Sequence, residues 1–289
     1  MESGSNEGRT VLVLGARSQI GDYLLPALVR SGYRVLAATR GSFPPALPGV
    51  EWVSVDGDGR VSGRGGPVFA VVNLAPISLL PPMLQRFSAQ GVSRLIAFSS
   101  TSIFTKIKSH DPNERELVHS FLESERAIAA HAAVTGLRWT VLRPTLVYSW
   151  GRDRNVSDIG RFARRFRVFP LLGQGTGLRQ PVHAQDLAEA CVAILGNAGT
   201  FGKAYNLAGA RRLTYRRMVE EIFLYQGLKP RFVRLPAWLI RACIRCARVL
   251  PRFRTLSPEL ATRMQTDMCF DSDEARADFG FDPRPFALP

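Results

Sequence analysis

The stretch from residue 10 to residue 38 constrains the fold of this chain more than any other. Residues 10–16 read TVLVLGA, an apolar strand that runs into a tight turn at Gly15, and a helix opens near Ser18–Gly21. A second apolar strand, Arg34–Ala38, follows directly. Strand, glycine turn, helix and strand in this order predict a βαβ unit, whose helix N-terminus offers free backbone N–H groups to a phosphate.

Strand and helix signals keep alternating over the first two hundred residues, which predicts a parallel, doubly wound sheet with right-handed crossovers. The long helix ends at Gly136 and carries Leu117, Phe121, Ile128 and Ala132 on one apolar face. The further predicted strands are Glu51–Val55, Val68–Leu74, Arg94–Phe98, Thr140–Arg143 and Ala204–Leu207, and the predicted helices are Pro81–Gln90, Asn113–Thr135, Ala184–Leu195 and a helix capped by Thr214 that runs to Gln226.

The alternation changes after Tyr148, where an arginine-rich apolar stretch and a glycine-rich loop follow without strand periodicity. The predicted fold class is therefore α/β, a Rossmann-type doubly wound parallel sheet with a smaller C-terminal substrate lobe. We expect residues 1–8 to form a flexible tail and residues 9–150 to form the dinucleotide-binding core, completed by about 179–209. Residues 151–178 and 210–289 are expected to form the lobe.

The charge balance limits the class of partner. Lys and Arg number 38 against 24 for Asp and Glu, a formal net charge of +14. This excess favours anionic partners, such as nucleotide phosphates or sugar diphosphates, although a solvated arginine-rich surface explains it equally well. No nucleic-acid-binding module is visible, so nucleic acid is not predicted as a partner.

The cysteines and the chain termini point to a reduced compartment. Cys191, Cys243, Cys246 and Cys269 form no disulfide framework, and the four histidines lack ligand spacing, so no metal is predicted. The polar N-terminus is not a signal peptide, and Pro76 interrupts the longest early apolar stretch. We therefore expect a cytoplasmic protein.

The glycine fingerprint is Gly15-x-x-Ser18-x-x-Gly21, in which serine stands where the backbone approaches a pyrophosphate. The second strand ends in Thr39-Arg40 rather than in the acid that binds the ribose hydroxyls of NAD, and Arg17 lies in the phosphate loop. Two guanidinium groups suit a 2′-phosphate, so NADP(H) is predicted in preference to NAD(H). The alternative is a pair of solvated surface arginines.

Several segments, read together, resemble one superfamily across nearly the whole chain: GARSQIG (15–21), VVNLAP (71–76), FSSTSIF (98–104), LRPTLVY (142–148), GLRQPVHAQDLAEA (177–190) and YNLAG (205–209). The chain is similar to the extended or atypical short-chain dehydrogenase/reductases, the NAD(P)-dependent nucleotide-sugar epimerases and dehydratases. The resemblance implies a cofactor over Gly15 and Gly21, with Ala75 and Pro76 near the nicotinamide ribose, and a phosphate or substrate contact at Arg179. Tyr148 and Arg164 are further predicted substrate residues. The complete predicted cofactor site is Gly15, Arg17, Ser18, Gln19, Ile20, Gly21, Arg40, Asp56, Leu74, Ala75, Pro76, Ser99 and Pro144.

The catalytic positions depart from that family's pattern. Its Tyr and Lys lie one helical turn apart on the long helix, where this chain reads SFLESER, so Phe121 replaces the Tyr and Glu125 the Lys. A phenyl ring has no proton to exchange, and a carboxylate does not lower a phenol pKa. Ser100 and Thr101 remain as candidate catalytic hydroxyls, or they cap the turn after their strand.

Which other residues could serve as acid and base in place of that pair is an open question at this point. A displaced acid or base is sought on the loop carrying Lys106 and Lys108, or at Tyr148. Asp186 is expected to cap its helix rather than to catalyse.

Three hypotheses follow. The first is an NADP(H)-dependent oxidoreductase or epimerase-like enzyme acting on a nucleotide- or lipid-linked sugar with a non-standard acid/base. The second is a catalytically silent NADP(H)-binding redox sensor or assembly protein, and the third is an enzyme for another small carbonyl substrate. The segment Pro236–Arg254 combines Trp238 with five arginines and is either a lobe helix or a peripheral membrane contact. A homodimer is a further expectation.

Overall fold

A computed structural model describes residues 8–62, 66–236, 238–239, 246 and 263–289. The tail 1–7 and most of the segment Pro236–Arg254, including Cys243, lie outside the described residues, so the predictions for them are not addressed by the structure.

One large sheet organises the described core. Its eight strands follow the order β12-β7-β6-β5-β1-β2-β3-β4, and every pairing is parallel except that of β3 with β4. Parallel strands with both faces covered are the doubly wound arrangement that the alternation predicts. The sheet strands are β1 (Thr10–Leu14), β2 (Arg34–Ala38), β3 (Val50–Val55), β4 (Val61–Ser62), β5 (Val68–Asn73), β6 (Arg94–Phe98), β7 (Arg138–Pro144) and β12 (Lys203–Leu207).

Helices cover the two faces of this sheet. On one face α1 (Gly21–Arg30) packs against α6 (Ala184–Leu195). On the other, α2 (Leu84–Ala89) and α4 (Pro112–Thr135) pack over the alternate strand residues. The sheet edge at the carboxyl ends of β1, β2 and β5 is thus left for a ligand, as in other open α/β sheets. Short helices precede or follow these: 3₁₀ turns at Ile77–Leu79, Pro81–Met83 and Ala198–Thr200, and α3 at Ser102–Thr105.

The lobe has its own apolar cluster. Helices α5 (Val156–Phe166) and α7 (Tyr215–Tyr225) pack together over a two-stranded parallel sheet of β9 (Phe169–Leu172) and β14 (Phe232–Leu235). The remaining elements are the short strands β8 (Val147–Tyr148), β10 (Leu178–Arg179), β11 (Val182–His183) and β13 (Leu213–Thr214), and the helix α8 (Asp273–Phe279).

Most predicted boundaries are within two residues of those observed, and the differences have physical reasons. The stretch 151–172, which shows no strand alternation, holds α5 and β9. On α4, Ile128 and Ala132 are buried as predicted, whereas Leu117 is 43% exposed and Glu114, Val118 and Ser124 are buried nearer the start of the helix. Polar residues that are buried through hydrogen bonds, such as Glu114 and Ser124, carry no apolar periodicity to read.

The capping prediction for Asp186 is wrong. The Nδ1 atom of His183 accepts the hydrogen bond of Gln185 N at 3.2 Å and caps α6. Asp186 is buried in the first turn of α6 and pairs with Arg284 at 2.5 Å. Thr214 does cap α7, its hydroxyl accepting from Arg217 N at 3.0 Å.

None of the helices within the described ranges combines the length and apolar composition needed to cross a bilayer. Over those same ranges, no group of three or more His, Cys, Asp or Glu side chains is arranged to hold a metal ion.

Candidate functional site

A cavity of about 360 Å³ lies at the carboxyl ends of β1, β2 and β5, where the opening βαβ unit is expected to bind a nucleotide. Its walls come from the first turn, the end of the second strand and the loop after the fifth. They are formed by Leu14, Gly15, Arg17, Ser18, Ala38, Thr39, Arg40, Val55, Asn73, Leu74, Ala75, Pro76, Leu79 and Met83.

Two glycines make this turn possible. Gly15 has a φ of +67°, and a Cβ on it would lie 2.6 Å from Ala75 N. A Cβ on Gly21 would lie 1.9 Å from Ala16 O. The turn and the helix start therefore approach their neighbours so closely that no side chain fits. Ser18, between them, accepts a hydrogen bond from Gly21 N at 3.2 Å and so holds the helix start.

The charge of the cavity comes from two arginines. Arg17 and Arg40 both line it, and no described Asp or Glu does. Neither guanidinium has an ion pair among the residues that the structure describes. The cavity therefore presents two fork-shaped sets of donors to a phosphate-bearing ligand.

A third arginine braces the phosphate loop from the lobe. Arg152 Nε and Nη2 donate to the two carboxylate oxygens of Asp22 at 2.8 and 3.2 Å, and Nη2 also donates to Arg17 O at 3.0 Å. Asp22 lies in the first turn of α1, where a negative charge opposes an anionic ligand. Arg152 neutralises that charge and fixes a carbonyl of the loop.

Three buried polar atoms in or near this region lack a hydrogen-bond partner among the described residues. Asn73 is fully buried; its Nδ2 donates to Ala75 O at 2.9 Å, but within the described ranges its Oδ1 has no partner. Gln19 Oε1 and Ser99 Oγ are likewise buried and unpaired. Since buried polar groups are normally hydrogen-bonded, the orphaned Asn73 oxygen in the cavity wall fits a polar ligand there.

The predicted cofactor residues fall into two sets. Seven of them line the cavity, and the walls add residues that the sequence analysis did not name, among them Thr39 and Asn73. A polar residue at the end of an otherwise apolar strand, as Asn73 is, was the available signal. The predicted residues absent from the walls are Gln19, Ile20, Gly21, Asp56, Ser99 and Pro144.

Two of the residues absent from the walls make other contacts in this structure. Ile20 packs in the core under α1. Asp56 Oδ1 accepts from Asp58 N at 3.1 Å and from Arg60 N at 2.8 Å, so its carboxylate holds a turn.

Phe121 and Glu125, which are predicted to replace the family's Tyr and Lys, make other contacts in the structure. Phe121 packs partly buried against the core. Both carboxylate oxygens of Glu125 accept from Arg143, with Nε to Oε1 at 3.1 Å and Nη2 to Oε2 as the second bond. The guanidinium lies 5.6 Å from the ring centroid of Phe104. Glu125 is thus held in a bidentate, half-buried ion pair.

The candidate hydroxyls take part in the turn after β6. Ser100 Oγ accepts from Ser102 N at 3.1 Å and bonds Ser102 Oγ at 2.9 Å. Thr101 is buried and its Oγ1 donates to Pro144 O at 3.2 Å. The turn-capping role is therefore visible for Ser100, whereas the Thr101 hydroxyl ties the turn to the end of β7 and makes no cap.

The loop beyond that turn carries a charged cluster. Glu114 is buried and accepts from Ser109 Oγ at 2.8 Å, from Arg263, and pairs with Lys106 Nζ at 3.4 Å. Burial, and next the charge of Arg263, lowers the pKa of Lys106 below its ordinary value. Burial raises the pKa of Glu114, but the Ser109 and Arg263 hydrogen bonds and the Lys106 charge outweigh it, so the net shift is downward.

The three predicted substrate residues are not gathered at the cavity. Tyr148 is buried, its hydroxyl donates to Ala287 O at 3.2 Å, and burial raises its pKa. Arg179 is buried on Tyr215, and its Nη atoms donate to the carbonyls of Leu178 and Thr266 at 2.7 and 2.9 Å and to that of Arg263 at 2.5 Å. Both side chains hold the C-terminal segment against the lobe. Arg164 is exposed on α5.

A model of the NAD dependent epimerase/dehydratase family matches residues 77–208, just under half of the chain. An uncharacterized protein of Sinorhizobium fredii is 24% identical over 96% of this chain and 75% of its own length. Subunit 9 of the mitochondrial NADH dehydrogenase 1 alpha subcomplex of Arabidopsis thaliana is 28% identical over 82% of this chain and 63% of its own length.

Solved structures share the fold across nearly the whole chain. An epimerase of Methanothermobacter thermautotrophicus has a TM-score of 0.73 at 16% identity, covering 96% of this chain and 88% of its own. MoeE5, solved with UDP-glucuronic acid and NAD, has a TM-score of 0.72 at 19% identity, covering 96% of this chain and 94% of its own.

Proposed function

We propose that this chain, an extended short-chain dehydrogenase/reductase of the NAD-dependent epimerase/dehydratase type, binds NADP(H) in the cavity described above. The observation that carries the proposal is the lining: Arg17 and Arg40 flank the cavity and no described carboxylate does. The ribose hydroxyls of NAD are usually bound by an acid at the end of the second strand, whereas a 2′-phosphate needs cations.

The residues present fit such a cofactor. The side-chain-free turn at Gly15 and the start of α1 hold the pyrophosphate, Arg17 and Arg40 hold the 2′-phosphate, and the free Asn73 oxygen accepts from the nicotinamide end. When bound, the nicotinamide supplies hydride exchange. The protein's part is to orient it and to manage protons.

The proposed reaction is oxidation, reduction or epimerisation of a sugar-type carbonyl on a nucleotide or lipid carrier. MoeE5 is a fold relative solved with a nucleotide sugar, which supports this substrate class. Phe121 has no exchangeable proton, and Glu125 is committed to Arg143. We therefore assign proton transfer to the loop after Ser100, with Lys106 as the candidate group, because this lysine lies on that loop and burial lowers its pKa, which eases the loss of its proton.

A second candidate function is a catalytically silent NADP(H)-binding subunit or redox sensor. The Glu125–Arg143 pair favours it, since Glu125, which is predicted to replace the family's Lys, is engaged in a structural contact. The Arabidopsis relative is by name a subunit of a larger complex, which points in the same direction.

Turnover separates the two candidates. The wild-type protein is incubated with deuterium-labelled NADPH and a panel of UDP- and dTDP-linked keto-sugars, and label in the sugar is followed by mass spectrometry. The enzyme proposal expects transfer that Lys106→Gln reduces by about tenfold or more, with the pH profile shifted and NADPH affinity unchanged. Absence of transfer across the panel, with NADPH bound, supports the silent candidate instead. Transfer that Lys106→Gln leaves intact removes Lys106 from the mechanism.

A further inference from the structure

The lobe exposes two basic chain segments that no acid interrupts. Residues 159–172 and 224–236 contain seven Lys and Arg residues and no Asp or Glu. Arg161 pairs with Asp158, just before the first segment. The other six cations, which we name the basic strip, are exposed: Arg164, Arg165, Arg167, Lys229, Arg231 and Arg234.

The two segments lie side by side. Strand β9 pairs in parallel with β14, with Phe169 opposite Phe232 and Leu172 opposite Leu235. The pairing begins where Phe169 N donates to Arg231 O at 2.8 Å. Arg231 directly precedes β14 and Arg167 lies two residues before β9, so the strip is distributed over two adjacent segments.

These six cations have no ion pair within the part of the chain that the structure describes. Unpaired like charges on adjacent segments repel each other, so their free energy falls when an anionic surface approaches. On the same lobe, by contrast, Arg216 and Arg217 are paired with Glu220 and Glu221. The strip is therefore not the lobe's general surface composition.

Apolar side chains project among these cations. Phe166 is 56% exposed, Val233 is 45% exposed and Trp238, just beyond β14, is 69% exposed. Phe166 still packs against Phe162, with ring centroids 4.6 Å apart, so its position is fixed. Exposed apolar groups interleaved with cations form a surface that gains from contact with both phosphates and hydrocarbon.

We propose that the basic strip, with Phe166, Val233 and Trp238, docks the lobe onto an anionic lipid surface. Arginines reach the headgroup phosphates, the aliphatic Val233 and the phenyl ring enter the acyl boundary, and tryptophan is favoured at that depth. Nucleic acid would also neutralise the strip and stack on the rings. It offers nothing to Val233, whereas a bilayer interface satisfies all three side chains.

The test is flotation of the full-length protein with phosphatidylcholine vesicles, with and without phosphatidylglycerol. We expect binding to the anionic vesicles only, weakened by salt. Arg231→Glu/Arg234→Glu should lower the partition coefficient by at least tenfold, since each cation near an anionic membrane contributes a factor of about five. Phe166→Ser should lower it several-fold and leave the salt dependence unchanged.

A matched control distinguishes the strip from net charge alone. Arg30→Glu/Arg126→Glu makes the same charge change at exposed sites on α1 and α4 and should bind vesicles as the wild type does. The proposal is overturned if this control loses as much binding, if neutral vesicles bind equally, or if the strip variant binds normally. Stronger competition by an RNA hairpin than by anionic vesicles, again lost in the strip variant, would assign the surface to nucleic acid instead. Thermal unfolding and NADPH affinity of each variant report whether the fold and the cofactor site are intact.

Discussion

The cavity and the Glu125–Arg143 ion pair belong to the same α/β core, yet their polar groups are used differently. In the cavity, Arg17 and Arg40 face the ligand space and Asn73 keeps a buried oxygen unpaired. At the other place, Glu125 and Arg143 are bonded to each other at both oxygens. The polar groups of the cavity remain available to a ligand, whereas those of Glu125 and Arg143 are used in a contact that stabilises the fold.

The same contrast extends into the lobe. Tyr148 and Arg179, which the family resemblance would aim at substrate, are buried and bonded to backbone carbonyls near the C-terminus. A motif shared with a family therefore predicts where a residue lies in the fold. It does not predict what that residue is bonded to, and the bonding decides the role.

The largest expected effect comes from a substitution that distorts the backbone around the cavity. Gly21→Ala places a Cβ 1.9 Å from Ala16 O, a contact with main chain that only a backbone shift relieves. We expect a loss of about 3 kcal/mol in the free energy of unfolding, at the upper end of overpacking costs, together with loss of NADPH binding. Gly196→Ala is the control, because no atom lies within 4 Å of its added Cβ. Equal stability of the two variants in urea titrations would refute the close-packing account.

The next effect tests whether the ion pair is structural. Glu125→Ala leaves the half-buried Arg143 guanidinium without its carboxylate, so the protein should lose about 1–2 kcal/mol of unfolding free energy, less than a fully buried pair because both side chains remain partly solvated. Its NADPH affinity should not change. If instead the stability holds while turnover disappears, Glu125 is a catalytic acid or base and the contrast drawn above fails.

A smaller effect is expected on NADPH affinity when Arg152 is removed. Arg152→Ala frees the Asp22 charge at the start of α1 and releases Arg17 O, so NADPH affinity should fall by about three- to fivefold, as expected for an exposed charge. Adding Asp22→Asn to this variant should restore the part of the NADPH affinity that the freed Asp22 charge removes. It should not restore the part that is lost because Arg17 O is no longer held. Calorimetric titration of the two single variants and the double variant measures both parts. An Arg152→Ala protein with unchanged affinity would show that the brace is irrelevant to the cofactor.

The smallest effect is a pH dependence in the junction between core and lobe. Burial, and next the charge of Arg284, lowers the pKa of His183, which contacts the Tyr23 and Tyr148 rings. Because the unfolded chain then binds a proton more readily than the folded one, stability should fall as pH drops below about 6.5, until the lowered folded pKa is passed. His183→Asn, which keeps a capping acceptor, should flatten this slope, whereas His119→Asn at an exposed site should not. A slope unchanged in His183→Asn would place its origin elsewhere.

The architecture could be predicted from the sequence because β1, α1 and β2 carry strong apolar periodicity. The turn between β1 and α1 also contains glycines at positions where no residue with a side chain fits. The cavity was predictable at Arg17, Arg40 and Ala75 for the same reason. The roles of Glu125, Asp186 and Arg179 were not, since their partners Arg143, Arg284 and the carbonyl of Arg263 lie 18, 98 and 84 positions away along the chain. Such pairings follow from packing rather than from any local pattern.

The central claim is that the cavity is a working NADP(H) site, and calorimetric titration of the purified protein with NADPH and NADH tests it most directly. NADPH should bind more tightly by about tenfold or more, the gain expected from at least one charged hydrogen bond to the 2′-phosphate. Arg40→Asp should remove that preference while NADH affinity stays the same or rises. Equal affinities for the two nucleotides in the wild type, or an undiminished preference in Arg40→Asp, would contradict the account.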